Sequence, residues 1–310
     1  MLLVGATLVL IFVGGLVTST GSGLAVPDWP LSYGRLMPPM VGGIFYEHGH
    51  RMVASAVGFI TLVLAIWTAR GERRAGMRWL AWGALAAVVA QGILGGLTVR
   101  FLLPTPISVA HACLAQTFFC LTIALTYAGS REWLASVPAG DDSSGVRSAA
   151  TLATGVVFVQ LLLGALMRHM MRNSGAELAV PDFPRMFGRW LPPLEAFQSA
   201  PVAVHLAHRA GALVVLVMVA RLFRRARRAG DARLVRPALL AAVLVLVQIG
   251  LGAATVLTVK AVLPTTAHVA TGAAILGLCW FVTLRSHRLL RPSARAAAVS
   301  AVPLGDPALS

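Results

Sequence analysis

Charge is what this chain most lacks. Of its 310 residues only 12% are Asp, Glu, Lys or Arg, about half the share of a soluble globular protein. Acidic residues are the scarcer sign, 11 against 26 Lys and Arg. Cysteine is nearly absent too: Cys113, Cys120 and Cys279 all fall in apolar runs and no CxxC occurs, which excludes a loop disulfide framework. Missing as well is a basic stretch ahead of the first apolar run, which starts at Met1-Leu2-Leu3 and ends without a small-residue cleavage site. That run is therefore expected to be a retained helix rather than a cleaved signal. No Arg-rich amphipathic presequence precedes it, which favours a bacterial plasma membrane over a mitochondrion.

What remains is apolar. Hydrophobic residues make up 57% of the chain and the mean hydropathy is +0.79. The net charge of +15 would point to nucleic acid in a soluble protein. Here the arginines cluster in short stretches between apolar runs, which makes them a topology signal and excludes a nucleic-acid partner.

A bilayer core of about 30 Å needs about 20 apolar residues as helix. Eight segments qualify, near 2–19, 48–68, 79–99, 107–128, 148–169, 203–222, 237–257 and 264–285. The expected fold is an all-α membrane protein of eight transmembrane helices. Arg70, Arg73, Arg74 and Arg78 follow the second segment, seven arginines from Arg221 to Arg236 follow the sixth, and Arg285, Arg288, Arg291 and Arg295 follow the eighth. With eight crossings all three groups share one side, which the positive-inside rule makes the cytoplasm, with both termini.

The chain repeats itself. Leu24-Ala25-Val26-Pro27-Asp28-Trp29-Pro30, Gly34-Arg35 and Pro38-Pro39 recur 154 residues later as Leu178-Ala179-Val180-Pro181-Asp182-Phe183-Pro184, Gly188-Arg189 and Pro192-Pro193. Gln91, Gly95, Thr98 and His111 recur 157 residues later as Gln248, Gly252, Thr255 and His268. Each half holds an even number of segments, so two four-helix bundles related by a pseudo-twofold axis along the membrane normal are expected. The halves are 1–128 and 148–286, with a cytoplasmic linker 129–147 and a tail 287–310. The proline-rich outer loops, 20–46 and 170–201, act as a stiff interfacial cap or as a substrate lid.

Histidine placement carries the chemistry. His50, His111, His208 and His268 lie one per even-numbered segment, near its outer end. Ionisable residues in a span are costly and mark function. Two histidines from facing helices of a bundle can ligate a haem iron axially, so each half offers one haem site. Zinc or copper is the rival, though zinc wants three or four close ligands. His48, His169, His205 and His287 lack a repeat partner and are expected to be non-ligands. Aligning His50-Arg51 with His208-Arg209 sets Glu47 opposite His205. Glu47 shares a helix face with His50, as a general base, as a stabiliser of developing positive charge, or as an N-terminal acid favoured by the helix dipole. Arg51 and Arg209 point about 100° round from the ligands, toward a haem propionate or out to lipid headgroups. Gln91 and Gln248 sit among packing glycines.

Together, Thr20-Gly21-Ser22-Gly23-Leu24, Pro27-Asp28-Trp29-Pro30, Glu47-x-x-His50-Arg51, His111, His208-Arg209 and His268 resemble the heme A synthase family over about residues 10–285. The resemblance implies oxidation of a ring methyl of haem o to a formyl group, through an alcohol, for haem–copper terminal oxidases. It implies that His50 and His111 face the substrate haem with Glu47 near the reacting methyl, and that His208 and His268 ligate a haem b iron. A haem O synthase is the natural supplier of haem o; electron donor, oxygen source and oligomeric state stay open. Some bacterial members carry a cysteine pair in the first outer loop; Val26 and Ser32 stand in that stretch here. Two other classes share some of these features: a dihaem b-type electron carrier, and a transporter built on parallel repeats.

Overall fold

The computed structural model describes residues 1–136, 138, 140–172 and 178–292. Among these residues there is no strand, only three isolated bridges. Eight helices are long and apolar enough to cross a bilayer. They are α1 (Leu2–Ser19), α2 (Gly42–Gly71), α3 (Ala75–Arg100), α4 (Thr105–Ala128), α6 (Val146–Arg172), α7 (Ala200–Ala229), α8 (Ala232–Leu257) and α9 (Val262–Leu289). A short helix, α5 (Arg131–Ala135), and a 3-10 turn, Leu194–Gln198, lie between spans. The eight expected spans are all present.

The helices run past their apolar segments. Arg221, Arg224, Arg225, Arg227 and Arg228, expected in a loop, continue α7 to Ala229. Arginine is a good helix former, so nothing stops the helix where the bilayer does. The stop comes at Gly230, whose φ of +73° closes a left-handed cap. Only Asp231 separates it from α8, and its side chain accepts from Arg233 N–H to start that helix.

The described residues of 129–147 are docked rather than free. Glu132 on α5 pairs with Arg285 at 2.5 Å, Arg288 donates to Trp133 O at 2.8 Å, and Asp142 caps α6 by accepting from Val146 and Arg147 N–H. The linker thus ties the last turn of α9 to the end of α4.

Packing follows a simple order. α1 lies against α2 and α4, and α3 lies against the same two; α6 and α8 likewise both lie against α7 and α9. Each half is a ring of four helices, with α2 facing α4 and α7 facing α9 across its centre. α1 and α4 of the first half meet α9 and α6 of the second. Much of that seam is apolar, built on Ile11, Phe119, Ile123 and Ala273, with Trp280 Nε1 donating to Cys120 O at 2.9 Å. Small side chains contribute to the second half's apolar core, with Ala149, Ala150, Ala153, Ala238 and Ala241 all buried. Helices of a bilayer associate through such close van der Waals contact, because lipid offers no hydrophobic gradient.

The connections α3–α4 and α8–α9 repeat an unusual turn. Leu102 and Leu103 have φ of +58° and +61°; Val259 and Lys260 have +50° and +62°. Leu103 N–H donates to Thr98 O at 2.6 Å and Lys260 N–H to Thr255 O at 2.8 Å. Left-handed bulky residues are costly, so this turn is set by the helices it joins.

Candidate haem-binding site

All four repeat-equivalent histidines point into their rings of helices, and each rests on a glycine. A Cβ on Gly14 of α1 would lie 3.1 Å from His50 Cε1, and one on Gly95 of α3 would lie 3.2 Å from His111 Cε1. A Cβ on Gly164 of α6 would lie 3.0 Å from His208 Cε1, and one on Gly252 of α8 would lie 3.1 Å from His268 Cε1. Carbon atoms prefer about 3.5–4.0 Å. The odd-numbered position of each ring therefore gives up its side chain to seat an imidazole. Gly95 and Gly252, read from sequence as helix-packing positions, serve the histidines directly; Gly14 and Gly164 were not singled out.

The helices start earlier than the sequence pattern indicated. His50 sits eight residues into α2, His208 eight into α7, His111 six into α4 and His268 six into α9. At 1.5 Å per residue that is roughly 9–12 Å below the helix starts. Glu47 consequently lies beyond the first turn of α2, outside the reach of the helix dipole.

The second pair fits an ion between its rings. The His208 and His268 centroids are 6.3 Å apart. An imidazole nitrogen binds a metal at about 2 Å, and each centroid lies about 1 Å behind its nitrogen, so two rings flanking one iron come to about 6 Å. His268 Nδ1 is 3.2 Å from Gln248 O, and His208 Nδ1 is 3.1 Å from Gln160 Nε2. In the first pair, Nδ1 of His50 and of His111 are buried without a hydrogen-bond partner; the two rings lie within electrostatic reach of one another. Among the described residues no three or more His, Cys, Asp or Glu side chains gather in metal-binding distance. Two imidazoles alone suit the axial sites of a haem rather than tetrahedral zinc.

The outer loops fold back over the starts of α2 and α7 in matching ways. In the first, Ser32 and Arg35 exchange backbone hydrogen bonds across a two-residue turn whose Tyr33 and Gly34 both have positive φ, as a primed turn requires. Asp28 caps it, accepting from Tyr33 N–H at 2.7 Å and Gly34 N–H at 2.8 Å. In the second, Met186 and Arg189 pair likewise and Asp182 accepts from Phe187 and Gly188. The N–H bonds from Gly34 and then Tyr33 hold the Asp28 carboxyl below its usual range. Burial raises Asp182, but the bonds from Gly188 and Phe187 outweigh it and leave it lowered.

Arg51 and Arg209 are the nails of these loops. Arg51 donates to Asp28 O at 2.8 Å, Leu31 O at 2.9 Å and Val26 O at 3.3 Å, and pairs with Glu47 Oε1 at 2.7 Å. Arg209 donates to Asp182 O at 2.7 Å, Arg185 O at 3.0 Å and Val180 O at 3.3 Å. Both guanidiniums place most of their hydrogen bonds on loop carbonyls. The reason is the cover itself: a loop that crosses the helix start brings more acceptors than one carboxylate. Glu47, 4% exposed, accepts from Val26 N–H at 2.8 Å as well as from Arg51. His205, its counterpart, faces Val180 N–H and Arg209 Nε, each at 3.2 Å. A carboxylate satisfies both donors together, whereas a neutral imidazole accepts at one nitrogen only. The first loop is held the tighter for it.

His48 Nδ1 meets Ser32 Oγ at 2.8 Å, and His287 meets Arg147 and Thr151 at the opposite end. Thr105 Oγ1 lies 3.4 Å from His169 O. Sequence reading missed two participants, Gln160 and Arg168, and the contact made by a third, Trp29. Gln160 reaches His208. Trp29 lies flat on Gly96, where a Cβ would come within 2.5 Å of its ring. Arg168 donates to Ser19 Oγ at 2.9 Å and acts electrostatically on His268. Polar residues interrupting the apolar run of α6 were the available signal for Gln160 and Arg168.

Comparison with known proteins agrees with this arrangement. The family model described as cytochrome oxidase assembly protein, COX15-CtaA, matches residues 41–280. A protein named Heme A synthase from Symbiobacterium thermophilum is 33% identical over 69% of this chain and 70% of its own length. Proteins of the same name from Halalkalibacterium halodurans and Shouchella clausii are 30% and 32% identical, over 79% and 84% of this chain and 81% and 85% of theirs. With its family match spanning most of the eight helices, the chain belongs to the COX15-CtaA family of cytochrome oxidase assembly proteins.

Proposed function

We propose that this chain is a heme A synthase, an integral-membrane oxidoreductase that converts haem o to haem a by oxidising a ring methyl to a formyl group through the alcohol. The observation that carries the reading is the pair of inward histidines in each helix ring, each seated on a glycine, in a chain whose relatives bear that name. The first half, residues 1–128, takes the substrate haem between His50 and His111. The second half, 148–286, keeps a haem b on His208 and His268. A bound haem b supplies an electron path next to the substrate.

Glu47 lies on the His50 helix face, buried and paired with Arg51. With both oxygens engaged by donors, it acts by stabilising positive charge that develops at the methyl carbon, more than as a free base. Arg51 and Arg209 hold the loops that keep water from the two sites. The halves are related by a pseudo-twofold axis along the membrane normal, in keeping with their matching loops and turns. The arginine-rich helix ends face the cytoplasm with both termini, in a bacterial plasma membrane. A haem O synthase supplies the substrate, and because methyl-to-formyl conversion is a net oxidation the reaction consumes an external oxidant, a membrane electron donor serving only to activate it.

A dihaem electron carrier remains the second reading, favoured by one observation: both Glu47 oxygens are already engaged. Chromatography of haem extracted from cells that make haem o separates the two. The synthase reading expects haem A only when this protein is present. Bound haem b with no haem A, electron donor supplied, would leave the carrier.

A further inference from the structure

We propose that Arg168 holds a propionate of the haem that binds between His208 and His268, and that this grip, which the first half lacks, keeps that haem resident. The proposal rests on the haem-pair reading above.

Arg168 is a cation within a membrane-spanning helix, near the outer end of α6. Its Nη2 donates to Ser19 Oγ of α1 at 2.9 Å, and Thr266 Oγ1 of α9 donates to the same oxygen at 3.0 Å. A guanidinium carries five donors, and this bond to a neutral hydroxyl is the one it makes among the described residues. None of the ion pairs among those residues includes it. A charge at such a depth is costly and calls for an anion.

The unused donors reach open space. Arg147 and Arg285 have nitrogens sealed in protein without a partner, whereas Arg168, although half-buried, has none. Its direction follows from the helix. Arg168 lies four residues beyond Gly164, whose missing side chain seats His208, so the two share a face and Arg168 stands about 6 Å nearer the outer surface. It is also close enough to His268 to act on it electrostatically. The guanidinium therefore borders the second histidine pair on its outer side. A haem bound there brings propionate carboxylates, which the guanidinium fork matches two bonds at a time. Arg209 of the same half places three bonds on loop carbonyls; Arg168 has donors to give.

The first half differs at this position. In the register that matches Gly14 with Gly164, Arg168 corresponds to Thr18, whose hydroxyl donates to Gly14 O of its own helix at 3.0 Å. A neutral, satisfied side chain offers a propionate nothing. The second site thus grips its haem by iron and by carboxylate, while the first, which must release product, has no such hold from the matching helix.

The test uses the full-length protein purified with its haem b. Haem transfer to an apo-globin scavenger and the midpoint potential of the b haem as a function of pH are measured in Arg168→Gln, Arg168→Lys and Ser19→Ala. Arg168→Gln is expected to lose haem about 10- to 100-fold faster, the loss that goes with a charge-assisted hydrogen bond. It leaves a partly buried carboxylate unpaired, which then titrates at higher pH. Because an ionised propionate favours ferric iron, the potential should fall with rising pH more steeply than in the wild type. Arg168→Lys keeps the charge but not the fork, and should lose haem faster by a smaller factor with the wild-type pH profile. Ser19→Ala removes only the seam bond and should leave both readouts unchanged. Either readout at its wild-type value in Arg168→Gln overturns the proposal, and so does Ser19→Ala reproducing the Arg168→Gln shifts, which would make Arg168 a seam residue. If Arg168→Gln fails to fold, wild-type haem retention in Arg168→Lys overturns it alone. His208→Ala tells the two failures apart. A b spectrum that survives it removes the haem-pair reading and this proposal with it, whereas a lost spectrum beside inert Arg168 variants removes only the proposal.

Discussion

Adding one methyl group at Gly252 is expected to empty the second haem site while leaving the fold intact. The new Cβ would lie 3.1 Å from His268 Cε1, against a preferred carbon separation of about 3.5–4.0 Å. The overlap is therefore roughly 0.4–0.9 Å, and it falls on a ring that cannot retreat without leaving its iron-facing position. Overpacking of this kind costs about 1–3 kcal/mol, which at about 1.4 kcal/mol per tenfold is a loss of about 5- to 150-fold in haem affinity. Gly250 supplies the control, two residues away on the same helix with nothing within 4 Å of its would-be Cβ. Both substitutions gain the same helix propensity, about 1 kcal/mol, so the difference between them isolates the ring contact. The assay is haem b per protein, from the reduced-minus-oxidised spectrum, together with the rate of haem loss. Gly252→Ala and Gly250→Ala with equal haem content would refute the reasoning that the glycine seats a ligand.

Other outcomes follow from the same geometry. Glu47→Gln is expected to abolish haem A formation while the b spectrum persists; normal haem A in that variant would remove Glu47 from the reaction. Gly96→Ala should drive Trp29 off α3, since the Cβ would meet its ring at 2.5–2.9 Å, lowering product yield without loss of haem b; unchanged yield would show that Trp29 is only a surface anchor. Asp28 has a folded pKa below its unfolded value of 3.8, so its ionised form stabilises the turn fully above that value and stops doing so as pH falls through the lower folded one. Hydrogen-exchange protection of the Tyr33 and Gly34 amides should accordingly drop at acid pH in the wild type. In Asp28→Asn it should be low at every pH, and a wild-type protection that ignores pH would contradict the capping role.

Much of the fold was legible because the bilayer enforces it: eight apolar runs became eight helices. Their ends were not, since hydropathy reports where lipid stops and not where hydrogen bonding stops. α2 begins at Gly42, ahead of Glu47, and α7 carries its arginines to Ala229. The four histidines were legible through the repeat. The glycines under His50 and His208 were hidden because Gly14 and Gly164 sit 150 residues apart, a different register from the 154 and 157 of the quoted repeats. Gln160 was hidden for the opposite reason: its counterpart is Leu10, so a search for repetition passes over it. Arg51 and Arg209 were located, but their loop partners were not read. Helix geometry gives the direction in which a side chain leaves the backbone, but it carries no information about a loop that returns from twenty residues away to meet it.

The central claim is that the two histidine pairs hold haem for different purposes. Haem extracted from purified His50→Ala and His268→Ala, expressed with a supply of haem o and reductant, tests it most directly. The account predicts that His50→Ala keeps haem b and yields no haem A, whereas His268→Ala loses the bound haem b. Bound haem b surviving in His268→Ala, or vanishing in His50→Ala, would contradict it.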